Sequence, residues 1–331
     1  SNVNLSLIHL SNVSGTRSVS LVGASVIPVD DVVFYVELTE IMRARAVVFS
    51  GVLGGDRTNA IIDAQSHSVL DLAANPSLPF SNFDLYEIPD TTRPTMLSGH
   101  MNLDNRILTL VASETLDLTP AELKVDLAKI HLSNVTNESA ISLAGSSVIQ
   151  FDGTEINITI LEPLRIRAIP LSATPGGDGA PLILDVSAGA FSDLSENLIV
   201  DSFNIVLTES PDISPPNILY GTLFLGAGVL EITADETIDL SPYSANVNLS
   251  RVFISNSSSD RYLPLANANF QEGTIDGVAF NLTLSELERV ALIARSATPG
   301  GDGHALTMDI AFGAMHDIGI KYNLKEDGIS I

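Results

Sequence analysis

The chain has no cysteine and no tryptophan among its 331 residues, and aromatic residues of every kind make up only 5% of it. Without cysteine there are no disulfides, no thiolate metal ligands and no cysteine nucleophile. Scarce aromatics weigh against a carbohydrate-binding module, because sugar platforms stack exposed rings on their ligand. Basic residues are also few, 16 against 40 acidic ones, which leaves a net charge of −24 and a pI near 4.3. Phosphate backbones and anionic membranes repel such a surface, so nucleic acid is not the expected partner. No apolar run reaches the ~18 residues of a spanning helix, and the sequence predicts no membrane span. The chain opens Ser1-Asn2, without an initiator methionine or a signal-peptide pattern, and reads as a processed or partial chain.

Catalytic signatures are missing too. The six histidines do not cluster, and the matched pair His9 and His131 becomes Phe253 in the third copy described below. A ligand or a general base would not tolerate that exchange; a packing position would. There is no His-Glu-x-x-His, no Gly-x-Ser-x-Gly and no glycine loop ending in Lys-Ser/Thr. The sequence offers no catalytic residue and predicts a protein that is not an enzyme.

What the chain does contain is itself, copied. Ile8-His9-Leu10-Ser11-Asn12 returns 122 residues later as Ile130-His131-Leu132-Ser133-Asn134, and 122 further on, altered, as Val252-Phe253-Ile254-Ser255-Asn256. Asp71-Leu72 matches Asp193-Leu194, Pro89-Asp90 matches Pro211-Asp212, and Glu114–Leu118 matches Glu236–Leu240 at the same spacing. The loop Ser172–Gly179 recurs as Ser296–Gly303, two residues out of step, while Gly54-Gly55-Asp56 is its remnant in the first copy. A period this long is too large for a solenoid unit but suits one independent domain. Charged residues are 17% and hydrophobic ones 45%, the balance of folded material.

Within a copy the pattern favours strands. Glu155–Ile160 alternates polar and apolar residues with period two, and Asp31–Val36 and Val278–Thr283 are its relatives. Further strands are expected over Ile107–Ala112, Leu182–Val186 and Phe203–Leu207, punctuated by Asp-Gly and Pro-Gly-Gly-Asp-Gly turns. Many short strands point to an all-β fold of antiparallel sandwiches. A short crossover helix is expected in each copy, because Ser285–Glu288 is a capping-box pattern and Pro163 fits a first helical turn. The stiff stretches Pro89–Pro94 and Pro211–Pro216 mark the boundaries, giving modules at 1–88, 89–210 and 211–331. The first lacks anything matching 89–123. Either the chain is a window on a longer repeating polypeptide, or a neighbouring subunit fills the gap by strand addition.

Two sets of candidate sites follow. Eight N-glycosylation sequons occur, at Asn4, Asn12, Asn134, Asn137, Asn157, Asn248, Asn256 and Asn281. Asn12, Asn134 and Asn256 are one position taken three times. The recurring acids are the second set: Asp56, Asp178 and Asp302 in the glycine loop, Asp71, Asp193 and Asp317 in a later turn, Asp90 and Asp212 in the linkers, Glu114 and Glu236 after them. Calcium takes six to eight oxygens, and Asp178, Asp193, Asp302 and Asp317 are its candidate ligands. The competing reading is that Asp-Gly first of all makes a hairpin turn.

The succession Asp90–Pro94, Ser113–Leu118, Ser133-Asn134, Asp152-Gly153, Gly176–Gly179 and Asp193–Asn197 resembles tandem Ig-like (cadherin-like) modules of large secreted and cell-surface proteins of microbes and algae. The third copy departs at Asp317–Ile320, where the Asn is lost. The resemblance implies sandwich folds and an extracellular structural or adhesive role, and supplies no catalytic residue. The expectation is a glycosylated fibre subunit used like a pilus or flagellar hair, a homopolymer assembled head to tail. The alternatives are an adhesin stalk or a non-catalytic carbohydrate-binding module.

Overall fold

The computed structural model describes residues 2–13, 16, 18–27, 31–135, 138, 140–149, 151–257, 260–271 and 273–331. Among them the chain is predominantly β, with antiparallel strand pairs, short α-helices and single 3-10 turns. The sequence repeat is also a structural repeat. Strand Ile8–Ser11 lies inside a sheet ordered Val19–Ser20, Ile8–Ser11, Ile61–Ala64, Phe80–Asp84. The order recurs as Ile141–Ser142, Ile130–Ser133, Ile183–Val186, Ser202–Val206, and again as Leu263–Pro264, Val252–Ser255, Thr307–Ile310, Glu326–Ser330. Register recurs with it: His9 faces Asp63, His131 faces Asp185 and Phe253 faces Asp309. Ile8 and Leu10, like their two pairs of counterparts, point inward, while the His/Phe position between them is half-buried. Period-two side-chain alternation accounts for that division.

A second sheet accompanies the later copies. In the third it runs Ile218–Phe224, Val229–Ile238, Gly277–Thr283, Asn269–Phe270. The second copy has strands Met96–Asn102, Ile107–Leu116, Gly153–Thr159 and Ser147–Val148 at the matching places. Among the described residues of the first copy, the pair Ser25–Ile27 and Tyr35–Glu37 stands there. The strand expected from Asp31 therefore begins only at Tyr35. Its relatives in the later copies pair with a long strand of the 107–116 type, and the described residues of 1–88 contain no such strand.

The helices follow their capping chemistry. Ser285 and Glu288 form the expected capping box, the Glu288 amide donating to Ser285 Oγ at 3.3 Å and the Ser285 amide to Glu288 Oε2 at 2.9 Å. This starts helix Glu286–Ala294. Helix Glu162–Ala168 carries Pro163 in its first turn, where a missing N–H costs nothing. A third helix, Glu40–Val48, is capped by Thr39.

Two compact units emerge: Ser1–His100 with Leu108–Thr159 and Ile183–Leu207, and Met101–Ile107 with Ile160–Leu182 and Thr208–Ile331. The division falls inside the second copy, so that copy's helix and glycine loop belong with the third. In the second unit both sheets of the third copy contribute to one core: Leu230, Ile232 and Ile238 from one, Val252, Ile254, Met308 and Ile310 from the other, with Leu292 of the helix. In the first unit Ile8, Leu10, Val19, Leu21, Met42 and Ala64 form a smaller core, while Leu110, Ile130, Leu132, Ile156, Ile158 and Leu184 are fully buried. No helix among the described residues is long and apolar enough to cross a membrane.

Candidate functional site

Each unit contains one cluster in which an arginine from one copy bonds two acids of the next, and a third acid of that copy lies beside them. The first begins on helix Glu40–Val48. Glu40 sits in its first turn, where a carboxylate complements the helix N-terminus, and Arg43 follows three residues later on the same face. Arg43 Nε and Nη2 both donate to the Glu40 carboxylate at 2.7 Å. This two-pronged geometry is one that lysine cannot reproduce. Arg43 Nη1 then donates to Asp90 at 2.6 Å and Nη2 to Glu114 at 3.0 Å, and the Thr115 amide donates to Glu40 at 2.7 Å. Asp90, Glu114 and Asp193 each place an oxygen within 4.8 Å of the others. Asp90 comes from the linker, Glu114 from the end of a strand, and Asp193 from a turn held by its own bonds from Asn197.

The second unit repeats the arrangement. Arg165 donates to Glu162 from Nε and Nη2 at 2.8 Å, to Glu236 at 3.1 Å, and to Asp212. Asp212, Glu236 and Asp317 are again within 4.8 Å of one another, and Thr237 Oγ1 donates to Glu162 at 3.0 Å. Here the burial is deeper: the Arg165 side chain is 2% exposed against 31% for Arg43.

Four carboxylates around one guanidinium leave a surplus of buried negative charge, and the titration behaviour follows. Burial, reinforced by Asp317 and Asp212 and opposed by Arg165, pushes Glu236 up to about 8. Burial lifts Asp317 to about 6 against the bond from the Lys321 amide, with Asp212 adding to the rise. Glu114 rises to about 7, chiefly by burial, despite Arg43. Burial acts on Glu40 as well, but hydrogen bonds from Arg43 and Thr115 outweigh it and hold the group below the usual carboxylate range. Among the described residues, each cluster holds one buried carboxylate oxygen without a hydrogen-bond partner, Glu114 Oε1 in the first and Asp317 Oδ2 in the second. The second orphan arises because Lys321 stands where Asn197 donates its side-chain amide to Asp193. Protonation or a hard divalent cation would relieve either cluster, and carboxylate oxygens are the donors calcium prefers.

The four acids proposed as calcium ligands from the sequence therefore separate. Asp193 and Asp317 enter the clusters. Asp178 and Asp302 do not: Asp178 Oδ1 accepts the Ala180 amide at 2.9 Å, and Asp302 accepts from the His304 amide at 3.1 Å and Asn256 Nδ2 at 2.6 Å. These two shape the glycine loop. The arginines and their helix glutamates were not marked as site residues from the sequence. Their signal was the spacing: Glu40/Arg43, Glu162/Arg165 and Glu286/Arg289 recur at the repeat period.

The glycine loop supplies a second contact in the same place. Gly54 and Gly176 both have positive φ, 89° and 90°, and a Cβ on either would overlap the carbonyl of Leu194 or of Ile318, just after the acidic turn. Alanine at either position would displace that turn. Glu87 and Glu209, also a repeat apart, join the loop to the linker. Glu87 accepts from the amides of Gly51, at 2.7 Å, and Ala60, and Glu209 from Ala173 at 2.9 Å and Leu182 at 2.5 Å.

Several sequon asparagines have structural work of their own. Asn4 and Asn248 cap 3-10 turns, and Asp126 caps the same turn in the second copy. Asn12 and Asn256 donate from Nδ2 to Asp56 and Asp302, binding the Ser-Asn turn to the glycine loop. Asn134 is half-buried at the equivalent position. Asn157 is half-buried and accepts from Thr109 Oγ1 at 2.6 Å, and Asn281 faces Glu231 across the sheet. Asn137 lies outside the described residues. No protein-family model and no curated protein matches this chain.

Proposed function

We propose that this chain is a structural part of an extracellular, glycosylated fibre or cell-surface appendage, made of Ig-like β-sandwich modules at 1–88, 89–210 and 211–331 joined head to tail. The observation that carries this reading is the duplicated joint. The same glutamate–arginine pair of one copy bonds the same linker Asp and strand Glu of the next, with the same turn Asp beside them, in both units. Repeated joints between repeated bodies give length and stiffness. An active site needs one asymmetric constellation, and both clusters are built alike. An open head-to-tail contact adds subunits without closing, and a strongly acidic surface limits sideways association.

Electron microscopy of native material tests the reading: fibres of constant width with an axial repeat are expected, and isolated globular particles would end it. Glycans are expected at Asn12, Asn134 and Asn256, where an amide-cleaving glycosidase should lower the mass of secreted protein. An adhesin stalk is the second reading. It shares the joints but predicts isolated thin stalks with a distinct tip.

A further inference from the structure

The third copy carries one half of the joint with no linker Asp or strand Glu against it among the described residues. Helix Glu286–Ala294 presents Glu286 and Arg289 as the other two helices present their pairs: Arg289 Nε and Nη2 donate to the Glu286 carboxylate at 2.8 and 2.7 Å. Arg289 Nη1 donates to the Leu225 carbonyl at 3.3 Å, as Arg165 Nη1 does to Leu103 at 3.5 Å. There the likeness stops. Arg43 and Arg165 each go on to a linker Asp and a strand Glu, whereas among the described residues Arg289 has no such acid. Glu286 is 69% exposed, against 30% for Glu40 and 19% for Glu162. The glycine loop tells the same story independently. Gly300 has the left-handed φ of Gly54 and Gly176, 97°, yet a Cβ there would meet only Ile293, at 3.8 Å.

We infer that the face formed by Glu286, Arg289 and the loop Gly300–Gly303 is a docking site for a further module of this kind, one that offers an unoccupied linker Asp, strand Glu and turn Asp. Charge complementarity selects that occupant, since an arginine held by one glutamate and one carbonyl still has N–H groups for two more carboxylates. The triads at Asp90/Glu114/Asp193 and Asp212/Glu236/Asp317 are already engaged by Arg43 and Arg165, so the described triads of a second copy of this chain are not open to it. The inference rests on the head-to-tail reading and adds its polarity: the helix-and-loop face receives, and the acidic face inserts.

The test lengthens the chain by its own sequence. Residues 208–331 are fused after Ile331, which keeps the repeat in phase and presents a fresh triad to Arg289. Arg289→Gln is then made in the 331-residue chain and in the lengthened one. In the shorter chain the melting temperature should move by less than about 1 °C, as expected for an exposed pair. In the lengthened chain it should fall by about 10 °C, because carboxylates buried against the arginine lose their counter-charge. Amide exchange across residues 296–303 should slow on lengthening and recover with Arg289→Gln. Equal shifts in the two chains, or exchange unchanged on lengthening, would overturn the inference, including the case in which the added segment fails to fold. Both measurements are made on soluble monomer, so a negative result removes the docking face without touching the fibre reading. Absence of fibres in native material would remove the fibre reading without touching the docking face.

Discussion

The two arginine clusters use the same residue types at the same repeat positions and differ mainly in how much water reaches them. Around Arg43 the guanidinium is about one-third exposed, and Asp193 is satisfied by both the amide and the side chain of Asn197. Around Arg165 the guanidinium is sealed, Asp212 is 3% and Asp317 0% exposed, and Asp317 has lost the asparagine partner. The lesson is that one pattern of charges changes its energetics with the water that reaches it and with one exchanged neighbour. The drier joint has stronger individual attractions and more unrelieved repulsion.

The largest effect that would break this comparison is removal of the arginines. Arg165→Gln should destabilise the second unit by about 3–5 kcal/mol, the usual cost of leaving buried charges unpaired. Arg43→Gln should cost the first unit about 1–2 kcal/mol, because water reaches that pair. Calorimetric unfolding of the two variants measures both, and equal losses would show that burial does not set the difference.

The next effect comes from pH. Glu236, Asp317 and Glu114 have folded values raised to about 8, 6 and 7 from ordinary values near 4. Between those limits the folded state holds more protons than the unfolded one, so stability falls as pH rises. The melting temperature should therefore decrease from pH 5 to pH 8.5, and more steeply for the second unit. Below about pH 4 the sign reverses, because groups such as Glu40 and Glu162 are held low by their arginines. A flat profile from pH 5 to 8.5 would contradict the buried surplus of charge.

A smaller effect is expected from calcium. At pH 8, millimolar Ca²⁺ should raise the melting temperature by about 2–5 °C, and excess chelator should reverse it. If Asp317→Asn abolishes that response while Asp302→Asn leaves it, the triad and not the glycine loop is the cation site. No calcium response in the parent protein would remove the metal from the account. Smallest is the tie between the Ser-Asn turn and the loop: Asn12→Gln removes a sequon and should cost only about 0.5–1.5 kcal/mol for the lost hydrogen bond to Asp56, measured by urea unfolding.

Much of the fold was legible because it rests on local chemistry repeated at a fixed interval. Ser285–Glu288 announced a capped helix, and Glu155–Ile160 announced a half-buried strand. The first copy's expected helix could not be placed at Glu40–Val48 beforehand, since Thr39 is a weaker signal than a full capping box. The site was half legible. The repeated acids were visible, but their grouping was not, because Asp90, Glu114 and Asp193 come together only when linker, strand end and turn are folded against one another. Asp178 and Asp302 looked like their equals in the sequence, yet their side chains close local turns, a use that needs no partner from another copy. What distinguishes the two kinds of aspartate is the company of a linker Asp and a strand Glu, each bonded to an arginine of another copy.

The pairing of each helix glutamate with its arginine has one more consequence. In Glu286 and Arg289 the fork is already closed, at the same 2.7–2.8 Å found in the two occupied joints. The rotamer freedom of two long side chains is thus surrendered when the helix forms, not when a neighbour arrives. If the docking proposal holds, a further module would meet a side-chain pair already ordered, and its capture would need little rearrangement of the receiving end.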